Sequence, residues 1–357
     1  MQTEEYFKKY VSNTVAGTSN QKYFDCENGA VSFAFYQVLK SGRGEYSFLF
    51  TNTIDSTFGL NPPTCANDSC GEWEVNFAVV YTGRSVEEIL YGKMGGIPLR
   101  FDGKNKIKVT PDVCFCSDGV LLDVPENGYI GIKMAFKGEK IPCHVENCIP
   151  TFRDDGDGMK PDKYVPLPSM VGISRKVKSN IVFWGDSITQ GIGCPTDSYK
   201  HYTAICADIL GTDYAFWNLG IGCGRATDAA TDGAWAQKAK NGDMVVVCFG
   251  VNDLFATNDY DKITAAYDRI INILKGKKVI FQTIPPFDFD GERGKLYDRL
   301  NEYILHTLDK KVYAVFDNRP YLSDLKNPRA ARFGGHPTEE GCRLWGEALA
   351  EFLKQML

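Results

Sequence analysis

The chain has 357 residues and a formal net charge of −5, from 40 Lys and Arg against 45 Asp and Glu. This balance provides no basic face for nucleic acid, and no apolar run approaches the roughly 20 residues needed to cross a bilayer. The length accommodates two domains. Residues 1–9 are polar where a secretion signal would need a basic start and an apolar segment, so we expect a cytoplasmic protein without nucleic-acid or membrane partners.

The first 150 residues contain short apolar runs separated by turn-forming residues, and almost no helical periodicity. The runs lie at 30–36, 46–50, 73–81 and 129–136. Such spacing is typical of an antiparallel β-sandwich, which we predict for residues 1–150. The polar, Asp- and Gly-rich stretch that follows predicts a linker over 151–178. Its resemblance to a calcium loop is superficial, because the glutamate of that pattern is absent.

From residue 179 the pattern changes to strands that alternate with helices. The predicted strands are 181–184, 214–218, 244–249, 278–283 and 312–316, and the predicted helices are 199–210, 228–240, 259–275, 294–309 and 338–357. This alternation indicates an α/β fold with a parallel sheet and helices on both faces. We therefore predict a second domain over 179–357.

The twelve cysteines include three close pairs in the first half: Cys65 with Cys70, Cys114 with Cys116, and Cys143 with Cys148. None of these pairs has the two-residue spacing of a zinc knuckle. A chain of this size without an export signal is expected to keep its thiols reduced. We therefore predict structural thiols, no metal site and no cofactor.

Four polar, glycine-containing blocks occur in the second half. They are Gly185-Asp186-Ser187, Asn218-Leu219-Gly220-Ile221-Gly222, Gly250-Val251-Asn252-Asp253 and Gly334-Gly335-His336-Pro337. Three of them follow successive predicted strands, so they are expected at the carboxyl edge of the sheet, where α/β proteins bind ligands. Taken singly, Ser187 could be a helix N-cap, Gly220 a turn glycine and Asn252 another N-cap.

The four blocks together resemble the SGNH (GDSL-type) hydrolase superfamily over about the last 180 residues. The resemblance implies a three-layer, flavodoxin-like domain whose five-stranded sheet has the order 2-1-3-4-5. It also implies that Ser187 is a nucleophile, that His336 is its base, and that the N–H groups of Ser187 and Gly220 with the Asn252 amide form an oxyanion hole. The Gly-x-Ser-x-Gly elbow of α/β-hydrolases is absent, because Thr189 occupies the second glycine position.

The chain has four histidines, and their surroundings differ. His144 lies in the β-rich half, His306 falls off the apolar stripe of its predicted helix, and His201 shares a helical row with two isoleucines, which favours packing. Only His336 lies in a loop bounded by glycines and proline. This context also favours His336 as the base.

One position departs from the family pattern. Phe333 stands three residues before His336, where the family usually has an aspartate that orients the imidazole. Asp317, Asp324 or a backbone carbonyl could take that role. We favour the carbonyl, and hence a Ser-His dyad.

A β-sandwich ahead of such a domain resembles two-domain carbohydrate esterases in which a jelly roll precedes the hydrolase. The expected function is a serine esterase acting on small acyl groups, in particular O-acetyl groups of oligosaccharides. A lysophospholipase or thioesterase, and a catalytically inactive carbohydrate-binding protein, are the alternatives. The sandwich itself could line the cleft or serve only as a packing partner, and the oligomeric state is left open.

Overall fold

A computed structural model describes residues 3–17, 19–54, 56–57, 68–92, 95–324 and 326–357. The predicted pair Cys65 and Cys70 lies partly outside these described residues, since Cys65 is not among them. Within them the chain divides into two compact units. The first holds residues 3–56 and 68–176, and the second holds Thr57 and residues 177–357.

The described part of the first unit is built almost entirely of strands. Its elements are α1 (Thr3–Lys9), β1 (Tyr10–Ser12), β2 (Gln21–Gln37), β3 (Gly42–Thr51), β4 (Thr53–Ile54), β5 (Asp68–Ser69), β6 (Trp73–Gly83), α2 (Val86–Tyr91), β7 (Ile97–Pro98), β8 (Ile107–Val109), β9 (Cys114–Cys116), β10 (Val120–Val124), β11 (Tyr129–His144), β12 (Thr151–Asp154), β13 (Lys160–Pro161) and β14 (Met170–Ser174).

Two antiparallel sheets form this unit. One has the order β1-β14-β3-β10, with β9 also on β3, and the other has the order β13-β12-β2-β11-β6-β7, with β8 also on β6. Both sheets contribute apolar side chains to one core, including Phe48 from β3 and Ile132 from β11. The predicted β-rich amino-terminal domain is therefore confirmed.

The prediction of a linker over 151–178 is wrong. Strand β12 pairs with β2, and β14 lies between β1 and β3. The apolar residues of β14, such as Met170 and Val171, are buried, so this segment completes a sheet. The Asp-rich stretch is a turn, in which the Asp154 carboxylate accepts the N–H groups of Gly156 and Gly158.

The second unit alternates strands with helices. Its elements are β15 (Asn180–Gly185), α3 (Ser187–Gln190), α4 (Tyr202–Leu210), β16 (Ala215–Asn218), α5 (Ala226–Ala229), α6 (Ala234–Ala239), β17 (Met244–Cys248), α7 (Val251–Ala256), α8 (Tyr260–Ile273), β18 (Lys278–Gln282), α9 (Gly291–His306), a 3₁₀ turn (Leu308–Lys310), β19 (Ala314–Phe316), α10 (Arg319–Leu322), β20 (Ser323–Asp324), β21 (Asn327–Ala331) and α11 (Glu339–Lys354).

Five strands of this unit form a parallel sheet in the order β16-β15-β17-β18-β19. This is the predicted order 2-1-3-4-5, so the α/β fold is confirmed. The helix predicted over 228–240 is instead two short helices, α5 and α6. Asp232 has a φ of 60° and Gly233 is the N-cap of α6, so the helix cannot run through these positions. No helix among the described residues has both the length and the apolarity to cross a membrane.

A buried polar network joins three helices beneath the carboxyl edge of this sheet. The Tyr202 hydroxyl lies 2.9 Å from Thr189 Oγ1 on α3 and accepts from Gln282 Nε2 at 3.5 Å. Trp345 on α11 donates to Gln282 Oε1 at 2.8 Å and stacks on the Tyr202 ring, with ring centres 3.9 Å apart. These side chains are fully buried, so each polar group depends on its partner.

We expect Tyr202→Phe to destabilise the protein by about 1–2 kcal/mol, because the change removes a buried hydroxyl and leaves Thr189 without that partner. Urea unfolding followed by fluorescence measures the difference. Tyr313→Phe is a suitable control, because Tyr313 is 52% exposed. Equal unfolding midpoints for the two variants would contradict a stabilising role for this network.

Candidate active site

Ser187 is the first residue of α3, directly after β15. The N-cap is Asp186, whose carboxylate accepts the N–H of Ile188 at 2.9 Å, so Ser187 is not the cap. The helix ends after one turn at Gly191, which has a φ of 113°; a Cβ there would lie 2.9 Å from the His201 ring. This tight strand–turn–helix geometry places the Ser187 side chain at the carboxyl end of the central strands.

The His336 imidazole lies beside Ser187. The distance between Ser187 Oγ and His336 Nε2 is 2.8 Å, across 149 positions of sequence. His336 is in the loop that leads into α11. The two side chains that sequence reasoning assigned as nucleophile and base are therefore within proton-transfer distance.

Close packing holds the His336 loop on two sides. Gly193 has a φ of 106°, and a Cβ there would lie only 3.0 Å from His336 Cβ. The Phe287 ring meets the imidazole edge to face, with centres 5.8 Å apart, and a Cβ on Gly335 would strike the same ring at 2.5 Å. Sequence reasoning missed Gly193 and Phe287, because neither lies in a block that marks the site.

Neither candidate carboxylate contacts His336. Asp317 forms an ion pair with Arg319 at 2.8 Å, and Asp324 accepts the N–H of Lys326. Among the described residues, the one hydrogen bond of the His336 side chain is to Ser187. Within the described part of the chain, the ring has no backbone carbonyl partner of the kind that sequence reasoning favoured. The ring is therefore oriented by packing together with its hydrogen bond to Ser187.

Burial lowers the pKa of His336 below its usual value. Desolvation disfavours the charged imidazolium, so the neutral form that accepts a proton persists to lower pH. The lowered pKa suits the ring to act as a base near neutral pH.

Asn252 lies in the first turn of α7, where the N-cap is Gly250, so Asn252 is not a cap. Its side-chain nitrogen donates to Asp186 Oδ2 at 3.3 Å and to the Gly224 carbonyl at 3.1 Å. Burial raises the pKa of Asp186 to about 7. The amide is thus held beside the turn that carries Ser187, and the contact to Asp186 is the longer of its two.

The neighbouring Asp253 is also fully buried and holds α5. Its carboxylate accepts the N–H of Ala226 at 2.8 Å and the N–H of Thr227 at 3.3 Å. Desolvation by burial raises the pKa of Asp253 to about 6. Asp253 thus fixes the first turn of α5.

Gly220 is buried, and its N–H donates to the Asn218 side chain at 2.8 Å. A Cβ on Gly220 would lie 2.1 Å from the Gln190 nitrogen, so glycine is required for α3 to pack here. Its assignment as an oxyanion donor stays a prediction. The loop continues through Cys223, which is exposed with a φ of 58°, to Gly224, the acceptor for Asn252.

The remaining histidines have structural or surface positions. His144 is buried, with one ring nitrogen 2.9 Å from Ser19 Oγ and the other 3.2 Å from Gln21 Nε2. Burial lowers the pKa of His201 to about 4, and His306 is a surface residue that pairs with Glu302. Within the described ranges, no three His, Cys, Asp or Glu side chains are grouped to hold a metal ion.

Residues 183–344 match the model of the GDSL-like Lipase/Acylhydrolase family, somewhat less than half of the chain. The matched segment begins in β15 and ends in α11, so it contains Ser187, Gly220, Asn252 and His336. A comparison with curated proteins finds no match.

Several solved structures are similar at low identity. A family two carbohydrate esterase from Clostridium thermocellum, solved with cellohexaose, is 15% identical over 97% of this chain and 98% of that chain, with a TM-score of 0.41. A carbohydrate acetylesterase from Sinorhizobium meliloti is 18% identical over 50% of this chain and 100% of that chain, with a TM-score of 0.39. A member of the lipolytic protein G-D-S-L family from Veillonella parvula DSM 2008 is 19% identical over 49% and 98%, with a TM-score of 0.40.

We expect the acid limb of kcat/KM for ester hydrolysis to lie below pH 6.5, because partial desolvation lowers the pKa of His336 and activity is lost only when the ring protonates. In Phe287→Leu the smaller side chain leaves the His336 imidazole less confined and better hydrated. The acid limb should then move to higher pH, and kcat should fall by about 3–10-fold through loss of orientation.

A pH profile of kcat/KM with p-nitrophenyl acetate measures both effects. Phe316→Leu is the matched control, because Phe316 is a buried phenylalanine that packs on Tyr321 and Phe352, away from His336. Identical acid limbs for wild type and Phe287→Leu would show that this ring does not position the imidazole.

Proposed function

We propose that the GDSL-like hydrolase domain contained in this chain is a serine esterase that removes small acyl groups, in particular O-acetyl groups of carbohydrates. The observation that carries the proposal is the 2.8 Å contact between Ser187 Oγ and His336 Nε2. A serine hydroxyl becomes a useful nucleophile only when a base in hydrogen-bond reach takes its proton.

In the proposed reaction, Ser187 Oγ attacks the ester carbonyl carbon while its proton passes to His336 Nε2. The tetrahedral intermediate then collapses, the C–O bond to the alcohol breaks, and His336 returns the proton to the leaving alkoxide. Water, deprotonated by the same nitrogen, attacks the acyl-serine; the bond from the acyl carbon to Ser187 Oγ then breaks, His336 returns the proton to Oγ, and the carboxylic acid is released. His336 is charged after each attack and neutral again at the end of acylation and at the end of deacylation, and no metal or organic cofactor takes part in the proposed reaction.

The oxyanion of the intermediate needs donors that are already in place. In the proposal these are the N–H of Ser187 at the start of α3, the Asn252 amide, and the N–H of Gly220. Asn252 can supply a hydrogen by giving up its longer contact, the one of 3.3 Å to Asp186. Gly220 would have to exchange its bond to Asn218, so we expect its contribution to be the smallest.

A dyad without a carboxylate is sufficient for this chemistry. In triad enzymes the carboxylate holds the imidazole and stabilises its charged form, and its loss lowers the rate without abolishing it. Here Phe287 and Gly193 supply the holding function through packing. The charged form is stabilised by solvent, since His336 is exposed in the structure.

Two features support a carbohydrate ester over a long-chain lipid. The chain resembles two-domain carbohydrate esterases in having a β-rich domain ahead of the hydrolase domain. In addition, Phe255 is 49% exposed and meets the Phe287 ring, with centres 5.4 Å apart, next to His336. These two rings meet edge to face and offer an apolar surface beside the base, suited to the apolar face of a sugar ring.

We expect Ser187→Ala to lower kcat for p-nitrophenyl acetate by about 10⁴-fold or more, because the nucleophile is lost. His336→Asn should lose a similar factor. Ser198→Ala, a serine in the nearby loop, is the control and should retain wild-type activity. Equal rates for wild type and Ser187→Ala would refute the mechanism.

Substrate class is tested with the same proteins on two panels. Rates on p-nitrophenyl acetate, butyrate and octanoate should fall with chain length, and acetate should be released from acetylated xylo-, manno- or cello-oligosaccharides. A preference for octanoate would favour a lysophospholipase or thioesterase. Failure of Ser187 to react with a fluorophosphonate probe would favour an inactive carbohydrate-binding protein.

We expect Asn252→Ala to lower kcat by about 10²–10³-fold with little change in KM, because an oxyanion donor acts in the transition state. Asn272→Ala, an exposed amide on α8, is the matched control. Steady-state kinetics on p-nitrophenyl acetate separates kcat from KM. An effect confined to KM would assign Asn252 to substrate binding instead.

A further inference from the structure

Two thiols that the proposed reaction does not use face each other beside the active site. The Sγ atoms of Cys194 and Cys342 are 3.7 Å apart. Cys194 lies in the loop after α3 and is partly exposed, whereas Cys342 is buried in the first turn of α11. One thiol therefore belongs to the segment that follows Ser187, and the other to the segment that follows His336.

The surrounding contacts already hold these two segments together. Lys200, in the loop that contains Cys194, forms an ion pair with Glu339 of α11 at 2.7 Å. Gly193, adjacent to Cys194, packs against His336 and the Pro337 carbonyl. A disulfide bond is about 2.05 Å long, so the sulfur atoms need to approach by less than about 2 Å, which side-chain rotation can supply.

We propose that Cys194 and Cys342 are an oxidation site that forms an intramolecular disulfide by exchange with a low-molecular-weight disulfide. The Cys194 thiolate attacks one sulfur of the reagent, forms a mixed disulfide and releases one thiolate. The Cys342 thiol then loses its proton and attacks Cys194 Sγ, releasing the second thiolate. The protein loses two electrons and two protons, and the reagent is reduced to two thiols.

The two thiols differ in pKa and in accessibility, as the two exchange steps require. The hydrogen bond with Cys342 lowers the pKa of Cys194, which favours its thiolate as the first attacker. The same contact, with burial, raises the pKa of Cys342, which keeps it protonated until the mixed disulfide forms. Cys194 is also the more accessible of the two.

The bond would link the nucleophile segment to the histidine segment covalently. It would close a long loop, from residue 194 to residue 342, that runs through most of the parallel sheet. Such a crosslink restricts the unfolded chain and is expected to raise the melting temperature. This inference rests on the geometry of the thiols and not on the proposed esterase activity.

The test is to incubate the folded protein with oxidised glutathione, block free thiols with iodoacetamide, digest it, and identify linked peptides by mass spectrometry. We expect a Cys194–Cys342 crosslink that dithiothreitol reverses, and a melting temperature higher by about 5 °C or more before reduction. Cys194→Ala and Cys342→Ala should lack both effects. Cys206→Ala, which removes a buried thiol on α4, should retain them.

Glutathione retained on Cys194 while Cys342 is alkylated would overturn the proposal, as would alkylation of both thiols. Should an alanine variant fail to fold, the peptide assignment in the wild-type protein still decides between these results. Activity of Ser187→Ala has no bearing on the readout, so failure of the esterase proposal is distinguishable from failure of this one.

Discussion

The chemistry proposed for this protein depends on one hydrogen bond, between the Ser187 hydroxyl and the His336 imidazole at 2.8 Å. The parallel sheet brings the two residues to the same edge, but topology alone does not orient the His336 imidazole. In this protein close packing helps to orient the His336 imidazole. Gly193 allows its loop to approach His336 closely, and the Phe287 ring packs edge to face against the imidazole. Because dispersion forces fall off steeply with distance, this way of holding a base demands accurate packing.

The fold of the second unit could be predicted well, because its strands are continuous apolar runs separated by helical patterns. The errors have specific causes. Residues 151–178 were taken for a linker on the strength of an Asp-rich turn, whereas the apolar run at β14 completes a sheet. Residues 228–240 have helical composition, yet Asp232 adopts a left-handed conformation and divides the helix. A single residue can thus override the propensity of a whole segment.

Of the site, only the residues in the four glycine-containing blocks could be predicted from the sequence. Ser187 and His336 stand in recognisable blocks, and the structure places them together. None of these blocks contains Phe287, Gly193 or the two thiols. Their importance arises from contacts between segments that are distant in sequence. Gly220 shows the converse. Its position in a block suggested an oxyanion donor, but close packing against α3 and a bond to Asn218 account for the glycine in the structure.

The pairing of β1 with β14 has a consequence for how the first unit is made. Tyr10 lies opposite Ser174, so the earliest strand of the chain finds its neighbour only after some 160 further residues exist. On a ribosome, that edge of the sheet stays open until β14 has been synthesised. Closing so long a loop costs chain entropy before any contact rewards it, so the pairing of β1 with β14 is expected late in the folding of the first unit.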